Sequence, residues 1–281
     1  MKILITGANG QLGHDVIKRL DVLGIACRGV DIDCFDITDK KAAAEYISEY
    51  APAAVIHCAA YTAVDKSEEN RELCYNINVN GTKNIAQACA DIGAKMLYVS
   101  SDYVFGGQGS TPMETDSPTG PLGVYGKTKL QGEDAVKEIL KEYFIVRTSW
   151  IFGLNGSNFV KTMLKLAESK KEINVVNDQF GSPTYTVDLA KLICDIIVTD
   201  KFGTYHVTNE GYCSWSDFAA TIFEYSGVGV KVSPIPTEQY KTPAVRPKNS
   251  RMSKKSLEDA GFEKLPCWND ALKRYLDEIK V

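Results

Sequence analysis

The chain has 281 residues, of which 44% are hydrophobic and 24% charged, and its formal net charge is −4 at pH 7. This composition is typical of a globular protein with one or two domains and a sizeable buried core. A weakly acidic chain without long runs of like charge has no electrostatic attraction for nucleic acid or an anionic membrane, so a small-molecule ligand is the expected partner.

The N-terminal segment MKILITGANG predicts a cytoplasmic protein. Its short apolar run, ILI, ends at a glycine turn and is too short for the core of a signal peptide. No other segment approaches the length of a membrane-spanning helix.

Cysteines and histidines are scattered along the chain, without a Cys-x-x-Cys pair. In a cytosolic protein this pattern is typical of reduced, mostly buried thiols, and we expect no metal site. The residues are Cys27, Cys34, Cys58, Cys74, Cys89, Cys194, Cys213, Cys267, His14, His57 and His206.

The first 150 residues alternate short apolar strands with helical patterns. The strand KILIT leads through a glycine turn into a helix over 11–23, and a second strand, Ala26–Val30, ends at Asp31. A helix over Lys40–Tyr50 follows, with Thr38 as its candidate N-cap.

The alternation continues with the buried strand AAVIHCAA, a helix over 74–91 and the strand AKMLYVSS. A helix that contains Tyr125 and Lys129 then leads to the strand YFIVRTSW. Strands that alternate with helices pair in parallel through right-handed crossovers. The pattern therefore predicts an α/β fold with a doubly wound, Rossmann-like parallel sheet.

Beyond Trp150 the pattern becomes less regular, because polar, proline-containing loops such as QFGSPTY and TPAVRPKNSR separate the helices. We predict those helices over 158–168, 187–198, 216–225 and 268–279. Residues 1–150 would form the dinucleotide-binding domain. Residues 151–281 would form mainly a smaller substrate-binding lobe at the carboxyl edge of the sheet, with some segments returning to the core sheet.

Three glycines spaced three residues apart, Gly7, Gly10 and Gly13, follow the first strand in TGANGQLG. Glycine permits a tight turn and a close approach of the backbone to a pyrophosphate, which free N–H groups and the helix dipole attract. In this strand-turn-helix context the motif indicates dinucleotide binding, although a turn that binds nothing can have the same sequence.

Asp31 ends the second strand, about twenty residues after the glycines. A carboxylate at this position can bind the adenosine ribose hydroxyls of a dinucleotide and would repel a 2′-phosphate. This favours NADH as cofactor, with NADPH possible because Arg28 lies nearby in the sequence. Asp36 in the following turn could approach the adenine. A solvated aspartate at a strand end is the alternative explanation of Asp31.

Ser100, Ser101 and Asp102 end the fourth strand, where the sheet opens onto the predicted crevice. A serine there can hydrogen-bond a substrate carbonyl, although these residues also suit a turn that only caps the strand.

Tyr125 and Lys129 are four residues apart, so a helix would present both side chains on one face. A tyrosine with its usual pKa near 10 is a poor acid at neutral pH. A cation about 4 Å away would favour the phenolate by roughly 4 kcal/mol at an effective dielectric of 20, before the desolvation of the lysine is subtracted. The pair also occurs on ordinary solvated helices, but its place after the fourth strand favours a redox site.

The segments TGANGQLG, YVSSDYVF and YGKTK together resemble the extended short-chain dehydrogenase/reductases. AAYTAVDKSE, SSDYVFGG, PLGVYGKTKLQGE, RTSWIFG, NDQFGSPT and RPKNSRM resemble, more narrowly, the dTDP-4-dehydrorhamnose reductase family. The resemblance covers essentially the whole chain. It implies NAD(P)H-dependent reduction of the C4 keto group of a dTDP-linked 4-keto-6-deoxy sugar, dTDP-4-dehydro-L-rhamnose, in nucleotide-sugar biosynthesis.

The resemblance also implies roles for single residues. Tyr125 would be the general acid, Lys129 its partner and a cofactor contact, and Ser101 the group that polarises the C4 carbonyl. Asp102 and Trp150 would contact the nucleotide sugar, although core packing explains Trp150 equally well. The other predicted cofactor contacts, from the glycine motif and the resemblance, are Gly7, Asn9, Gly10, Gln11, Leu12, Gly13, Asp31, Asp36, Ile37, Ala59, Ala60 and Tyr61.

Some family members bind magnesium near a dimer interface, and Asp15 stands at the first of those positions instead of a glutamate. We predict no metal, and a homodimer is possible. Two alternatives stay open: another nucleotide-sugar reductase or epimerase on this scaffold, and a non-catalytic dinucleotide-binding regulatory subunit. The presence of Ser101, Tyr125 and Lys129 disfavours the second, because a binding protein needs no acid.

Overall fold

The computed structural model describes residues 1–279, which contain twelve strands and eleven α-helices. The strands are β1 (Lys2–Thr6), β2 (Ala26–Val30), β3 (Ala54–His57), β4 (Lys95–Ser101), β5 (Tyr143–Thr148), β6 (Ile151–Phe152), β7 (Glu172–Val176), β8 (Phe180–Gly181), β9 (Thr184–Tyr185), β10 (Gly203–His206), β11 (Cys213–Ser214) and β12 (Lys231–Ile235).

The α-helices are α1 (Gln11–Val22), α2 (Lys40–Tyr50), α3 (Val64–Ser67), α4 (Arg71–Tyr75), α5 (Thr82–Ile92), α6 (Val124–Ile139), α7 (Phe159–Ala167), α8 (Thr186–Ile197), α9 (Trp215–Ser226), α10 (Lys255–Asp259) and α11 (Trp268–Ile279). A π-helix (Asn76–Gly81) joins α4 to α5. Two 3₁₀ turns cover Asp102–Val104 and Thr237–Gln239. None of these helices is long and apolar enough to cross a lipid bilayer.

Six strands form a parallel sheet in the order β10-β5-β4-β3-β1-β2. The direction of winding reverses between β1 and β3, which creates a crevice at the carboxyl ends of these two strands. Thr6 is in register with both Val30 and His57, so the ends of three strands meet at this crevice.

Successive side chains of each strand point to opposite faces of the sheet. The apolar side chains on both faces are buried, because helices cover each face. Ile3 and Ile5 pack in the apolar cluster that α1 and α8 cover, whereas Leu4 packs in the cluster under α2, α5 and α6. The predicted doubly wound α/β fold is therefore confirmed.

A third apolar cluster builds the C-terminal lobe from α7, α9, α11 and the β7–β12 pair. β10 and α8 also follow residue 150, but they pack with the central sheet. The proposed division at residue 150 stays a prediction.

Two local expectations were wrong. Asp39, and not Thr38, caps α2, because its carboxylate accepts hydrogen bonds from the N–H groups of Lys41 and Ala42 at 2.9 and 3.1 Å. The segment QFGSPTY, expected to be a loop, contains β8 and β9, because each finds a partner strand distant in sequence, β11 and β6 respectively.

All eight cysteines are free thiols, but fewer than expected are buried. Cys74, Cys89, Cys194 and Cys213 lie in the interior, and the other four are partly or fully exposed.

A buried ion pair fixes α6 to the sheet. Arg147 on β5 donates to both carboxylate oxygens of Glu133 at 2.8 and 2.7 Å, and Ser100 on β4 donates to the same carboxylate at 2.6 Å. Glu133 and Arg147 are 0% and 2% exposed. Burial alone would raise the pKa of the Glu133 carboxyl, but Arg147 holds it below its usual value.

Replacing Arg147 by Met should lower the free energy of unfolding by about 3–5 kcal/mol, because the fully buried Glu133 carboxylate loses its buried cation and keeps only Ser100 and the half-exposed Lys137 as partners. The matched control is Lys41→Met, which removes the exposed Lys41–Glu45 pair on α2 and should lower that free energy by at most about 0.5 kcal/mol. Urea denaturation measures both values. Equal losses in the two variants would contradict this role of the buried pair.

Candidate active site

A cavity of about 720 Å³ opens at the carboxyl ends of the central strands. The predicted site residues that line it are Gly7, Gly10, Gln11, Leu12, Gly13, Asp31, Asp36, Ile37, Ala59, Ala60, Ser101, Asp102, Tyr125, Lys129 and Trp150. The structure thus brings the predicted cofactor, catalytic and substrate residues together in one place.

Asn9 and Tyr61 are not among the lining residues, and both hold the wall of the cavity through backbone groups. The Asn9 N–H donates to the Asp31 carboxylate at 3.0 Å, and the Tyr61 N–H donates to Asn78 Oδ1 at 2.8 Å. Their proposed contact with the cofactor stays a prediction.

The glycine turn leaves no space for larger residues. Gly7 has φ +70°, and a Cβ on it would lie 2.7 Å from the backbone nitrogen of Ala59. A Cβ on Gly13 would lie 2.2 Å from the Gly7 carbonyl oxygen. The absence of side chains lets β1, β3 and the start of α1 pack closely, with the helix N-terminus at the cavity. This arrangement suits the pyrophosphate of a dinucleotide.

Two backbone N–H groups bind the carboxylate of Asp31 at the end of β2. Besides the bond from Asn9, its carboxylate accepts a hydrogen bond from the Ile32 N–H at 2.9 Å. Arg28 does not line the cavity; its guanidinium lies 4.3 Å from the centroid of the Tyr50 ring. The arginine that could have bound a 2′-phosphate is therefore placed elsewhere.

Among the described residues that line the cavity, Lys129 is the only lysine or arginine. It is 2% exposed, and its ammonium lies 4.0 Å from the centroid of the Tyr98 ring. Burial lowers its pKa to about 7, while Glu133, Cys58 and Cys74 oppose this shift. Within residues 1–279 this ammonium has no hydrogen-bond acceptor, so the ribose hydroxyls of a dinucleotide would supply the oxygens that it lacks.

The expected tuning of Tyr125 by Lys129 is wrong in this structure. Desolvation by the surrounding protein raises the pKa of Tyr125 well above its usual value, and the charge of Asp102 adds to the shift. An interaction with Ser101 works in the opposite direction, but Lys129 makes no comparable contribution. The lysine ammonium lies over the Tyr98 ring, and burial has the largest effect on the pKa of Tyr125.

Ser101 and Asp102 form a hydrogen-bonded pair at the end of β4. The Ser101 Oγ and Asp102 Oδ1 atoms are 2.9 Å apart, and Ser101 Oγ also accepts a hydrogen bond from the Tyr103 N–H at 3.2 Å. Burial raises the pKa of the Asp102 carboxyl to about 6, against smaller contributions from the Ser250 and Ser101 hydroxyls.

Sequence reasoning missed the residue that ties the start of α6 to the cavity wall. Asn78, in the π-helix, donates from Nδ2 to Thr128 Oγ1 at 3.0 Å, and Thr128 donates to the Tyr125 carbonyl at 2.9 Å. The same asparagine holds Tyr61. π-turns are frequent at functional sites, but NINVNG has no pattern that distinguishes a π-helix from the α-helix that was expected.

Trp150 serves both the cavity and the packing of the C-terminal lobe. Its backbone has φ +50°, which is rare for a large residue. Its ring stacks on Trp215 with centroids 3.6 Å apart. Tyr103 was also missed; it lines the cavity and packs edge-on against Tyr125 at 5.5 Å. Its place in the quoted motif SSDYVFGG was the available signal.

Asp15 is buried and accepts a hydrogen bond from Thr186 Oγ1 at 2.5 Å. Within the described part of the chain, no three His, Cys, Asp or Glu side chains group together as metal ligands. The expectation that no metal binds stays a prediction.

Replacing Gly13 by Ala should weaken binding of NADH about tenfold or more, because the new Cβ forces the turn away from Gly7 at a cost of about 1–3 kcal/mol. The matched control is Gly229→Ala, since no atom lies within 4 Å of the Cβ at that site. Fluorescence titration with NADH measures both affinities, and thermal denaturation checks that the variants are folded. Unchanged affinity in Gly13→Ala would contradict a phosphate-binding role for the turn.

The whole chain, residues 1–281, matches the family model described as RmlD substrate binding domain. The spore coat polysaccharide biosynthesis protein SpsK of Bacillus subtilis is 40% identical over 99% of this chain and 97% of its own length. The crystal structure of a dTDP-4-dehydrorhamnose reductase from Clostridium acetobutylicum is 44% identical, covers 100% of both chains and superposes with a TM-score of 0.98. That of the Bacillus anthracis reductase in complex with NADP is 43% identical, covers 99% of both chains and has a TM-score of 0.96. This chain therefore belongs to the RmlD family, within which the sequence resemblance had placed it.

Proposed function

We propose that this chain catalyses the NAD(P)H-dependent reduction of the C4 keto group of dTDP-4-dehydro-L-rhamnose to dTDP-L-rhamnose. Family membership and relatives named dTDP-4-dehydrorhamnose reductase support the proposal. The single observation that carries it is that Ser101, Tyr125 and Lys129 line the same cavity as the glycine turn.

The residues of the cavity fit a nicotinamide dinucleotide. The N-terminus of α1 and the glycine turn would hold its pyrophosphate, and Asp31 would accept hydrogen bonds from its adenosine ribose. Lys129 would bind the nicotinamide ribose, because its ammonium has N–H groups that can donate to the ribose hydroxyls. When bound, NADH or NADPH supplies the hydride for C4.

Tyr125 would donate its proton to the C4 oxygen of the sugar. Its raised pKa keeps the phenol protonated at neutral pH, and the transfer is still favourable because an alkoxide is a much stronger base than a phenolate. Ser101 would donate a hydrogen bond to the same oxygen and stabilise its developing negative charge.

Replacing Tyr125 by Phe should reduce kcat on the order of a hundredfold or more, because the C4 oxygen loses its proton donor. Tyr225→Phe on α9 is the matched control, since Tyr225 is exposed and outside the cavity. The assay follows NADH oxidation with dTDP-4-dehydro-L-rhamnose. Near-normal turnover in Tyr125→Phe would rule out its role as the acid.

The same assay separates the alternative functions. Interconversion of nucleotide sugars without net consumption of NADH would indicate an epimerase. No turnover with any nucleotide sugar, together with tight binding to another protein, would indicate a regulatory subunit. The expected cytoplasmic location, the homodimer and the absence of a nucleic-acid partner stay predictions.

We also propose that NADH is preferred to NADPH, because Asp31 faces the cavity and Arg28 is stacked on Tyr50. Replacing Asp31 by Ser should raise the ratio of kcat/KM for NADPH to kcat/KM for NADH by about tenfold. This change corresponds to the removal of about 1.4 kcal/mol of repulsion between the carboxylate and the 2′-phosphate. Asp33→Ser is the control, since this exposed carboxylate does not line the cavity. An equal shift in both variants would exclude a specific role for Asp31.

A further inference from the structure

The hydroxyl of Ser101 has one hydrogen, for which the Asp102 carboxylate and the carbonyl of a bound substrate would compete. Its oxygen already accepts a bond from the Tyr103 N–H and lies 2.9 Å from Asp102 Oδ1. An ionised carboxylate can only accept, so it takes the serine hydrogen. In that state Ser101 has no hydrogen left for the carbonyl of a substrate.

Protonation of Asp102 reverses the direction of this hydrogen bond. A carboxylic acid can donate to Ser101 Oγ, and the serine hydrogen then becomes free to point into the cavity. The role of Ser101 in the proposed reaction therefore depends on which form Asp102 adopts.

The burial of Asp102 shifts it towards the neutral form. It is 2% exposed, and within residues 1–279 its Oδ2 has no partner in hydrogen-bonding geometry. The Ser250 and Ser101 hydroxyls and the backbone N–H groups of Asp102 and Tyr103 favour the charged form, but burial has the larger effect on the pKa of Asp102. A buried carbonyl oxygen without a partner is much less unfavourable than a buried anionic oxygen without one.

Among residues 1–279, no Lys, Arg or His side chain forms an ion pair with Asp102 or favours its charged form. The titratable groups that face it are Tyr103 in the 3₁₀ turn and Tyr125 on α6, and both are neutral phenols. The segment between β12 and α10 contributes the Ser250 hydroxyl. Arg246 of that segment is paired with Asp65 on α3 at 2.8 and 3.0 Å. Ligands that fill the cavity would displace water and favour the neutral carboxyl further.

We propose that Asp102 works in its protonated form, as a positioning residue that donates to Ser101 Oγ and thereby directs the Ser101 hydrogen to the C4 oxygen of the substrate. The inference rests on the proposed function, because it assigns a direction to a hydrogen bond that the proposed reduction uses. It also predicts that turnover falls as the pH rises and Asp102 ionises.

Two substitutions at Asp102 separate this role from a structural one. Asp102→Asn has an amide donor in place of the acid hydrogen and cannot become an anion, so its kcat should stay within about tenfold of the wild type. Asp102→Ala removes the donor and should lower kcat by about a hundredfold. In a Ser101→Ala background, Asp102→Ala should cause no further loss, because Asp102 acts through Ser101.

The pH profile of kcat gives the second readout. Burial lowers the pKa of Lys129 to about 7, so its deprotonation should cause the same decline at rising pH in the wild type and in Asp102→Asn. The wild type should lose activity through one further ionisation, which Asp102→Asn should lack. Infrared difference spectra of the two proteins, each with NADH and dTDP, should show the carbonyl stretch of one protonated carboxyl in the wild type alone.

Three results would overturn the inference. In the first, Asp102→Asn is as slow as Asp102→Ala and the spectra show only a carboxylate. In the second, Asp102→Ala raises KM without changing kcat, which indicates direct substrate binding. In the third, Asp102→Ala lowers kcat by the same factor in the Ser101→Ala background as in the wild type. If the wild type does not reduce the keto sugar at all, the proposed function fails, whereas the infrared spectra still decide whether Asp102 is protonated.

Discussion

The buried pair between Glu133 and Arg147 is the constraint on which the arrangement of the site depends. Tyr125, Lys129 and Glu133 are spaced four residues apart on α6, so they share one face of the helix. The pair fixes that face against β4 and β5. A rotation of α6 would separate the buried Glu133 carboxylate from the buried Arg147 guanidinium, which is strongly unfavourable. The helix therefore holds Tyr125 and Lys129, the proposed catalytic residues, at the ends of these strands.

Desolvation is the second consequence of this packing, and it acts in the same sense on all three ionisable groups near the reaction. It raises the pKa values of Tyr125 and Asp102 and lowers that of Lys129. Each group is moved towards its neutral form. The low polarity that makes isolated charges unfavourable would also strengthen hydrogen bonds to the C4 oxygen, where negative charge would develop in the proposed reduction.

The cavity also needs the reversal in strand order between β1 and β3. This reversal separates the connections on the two sides and leaves an open crevice at the strand ends. Gly7 and Gly13 let the backbone close the floor of that crevice. Asn78 and the stacked Trp150–Trp215 pair shape its other walls through side chains from distant parts of the chain.

The sequence by itself determined the alternation of strands and helices, the glycine turn, and the Ser101, Tyr125 and Lys129 set, because each depends on local periodicity or a short motif. Tertiary structure decided where Arg28 and the Lys129 ammonium point, which strands β8 and β9 pair with, and that Glu133 binds Arg147. These outcomes depend on contacts between residues distant in the chain and on how far each group is removed from water. No local pattern encodes either quantity, which is why the tuning of Tyr125 by Lys129 was predicted wrongly while both residues were found.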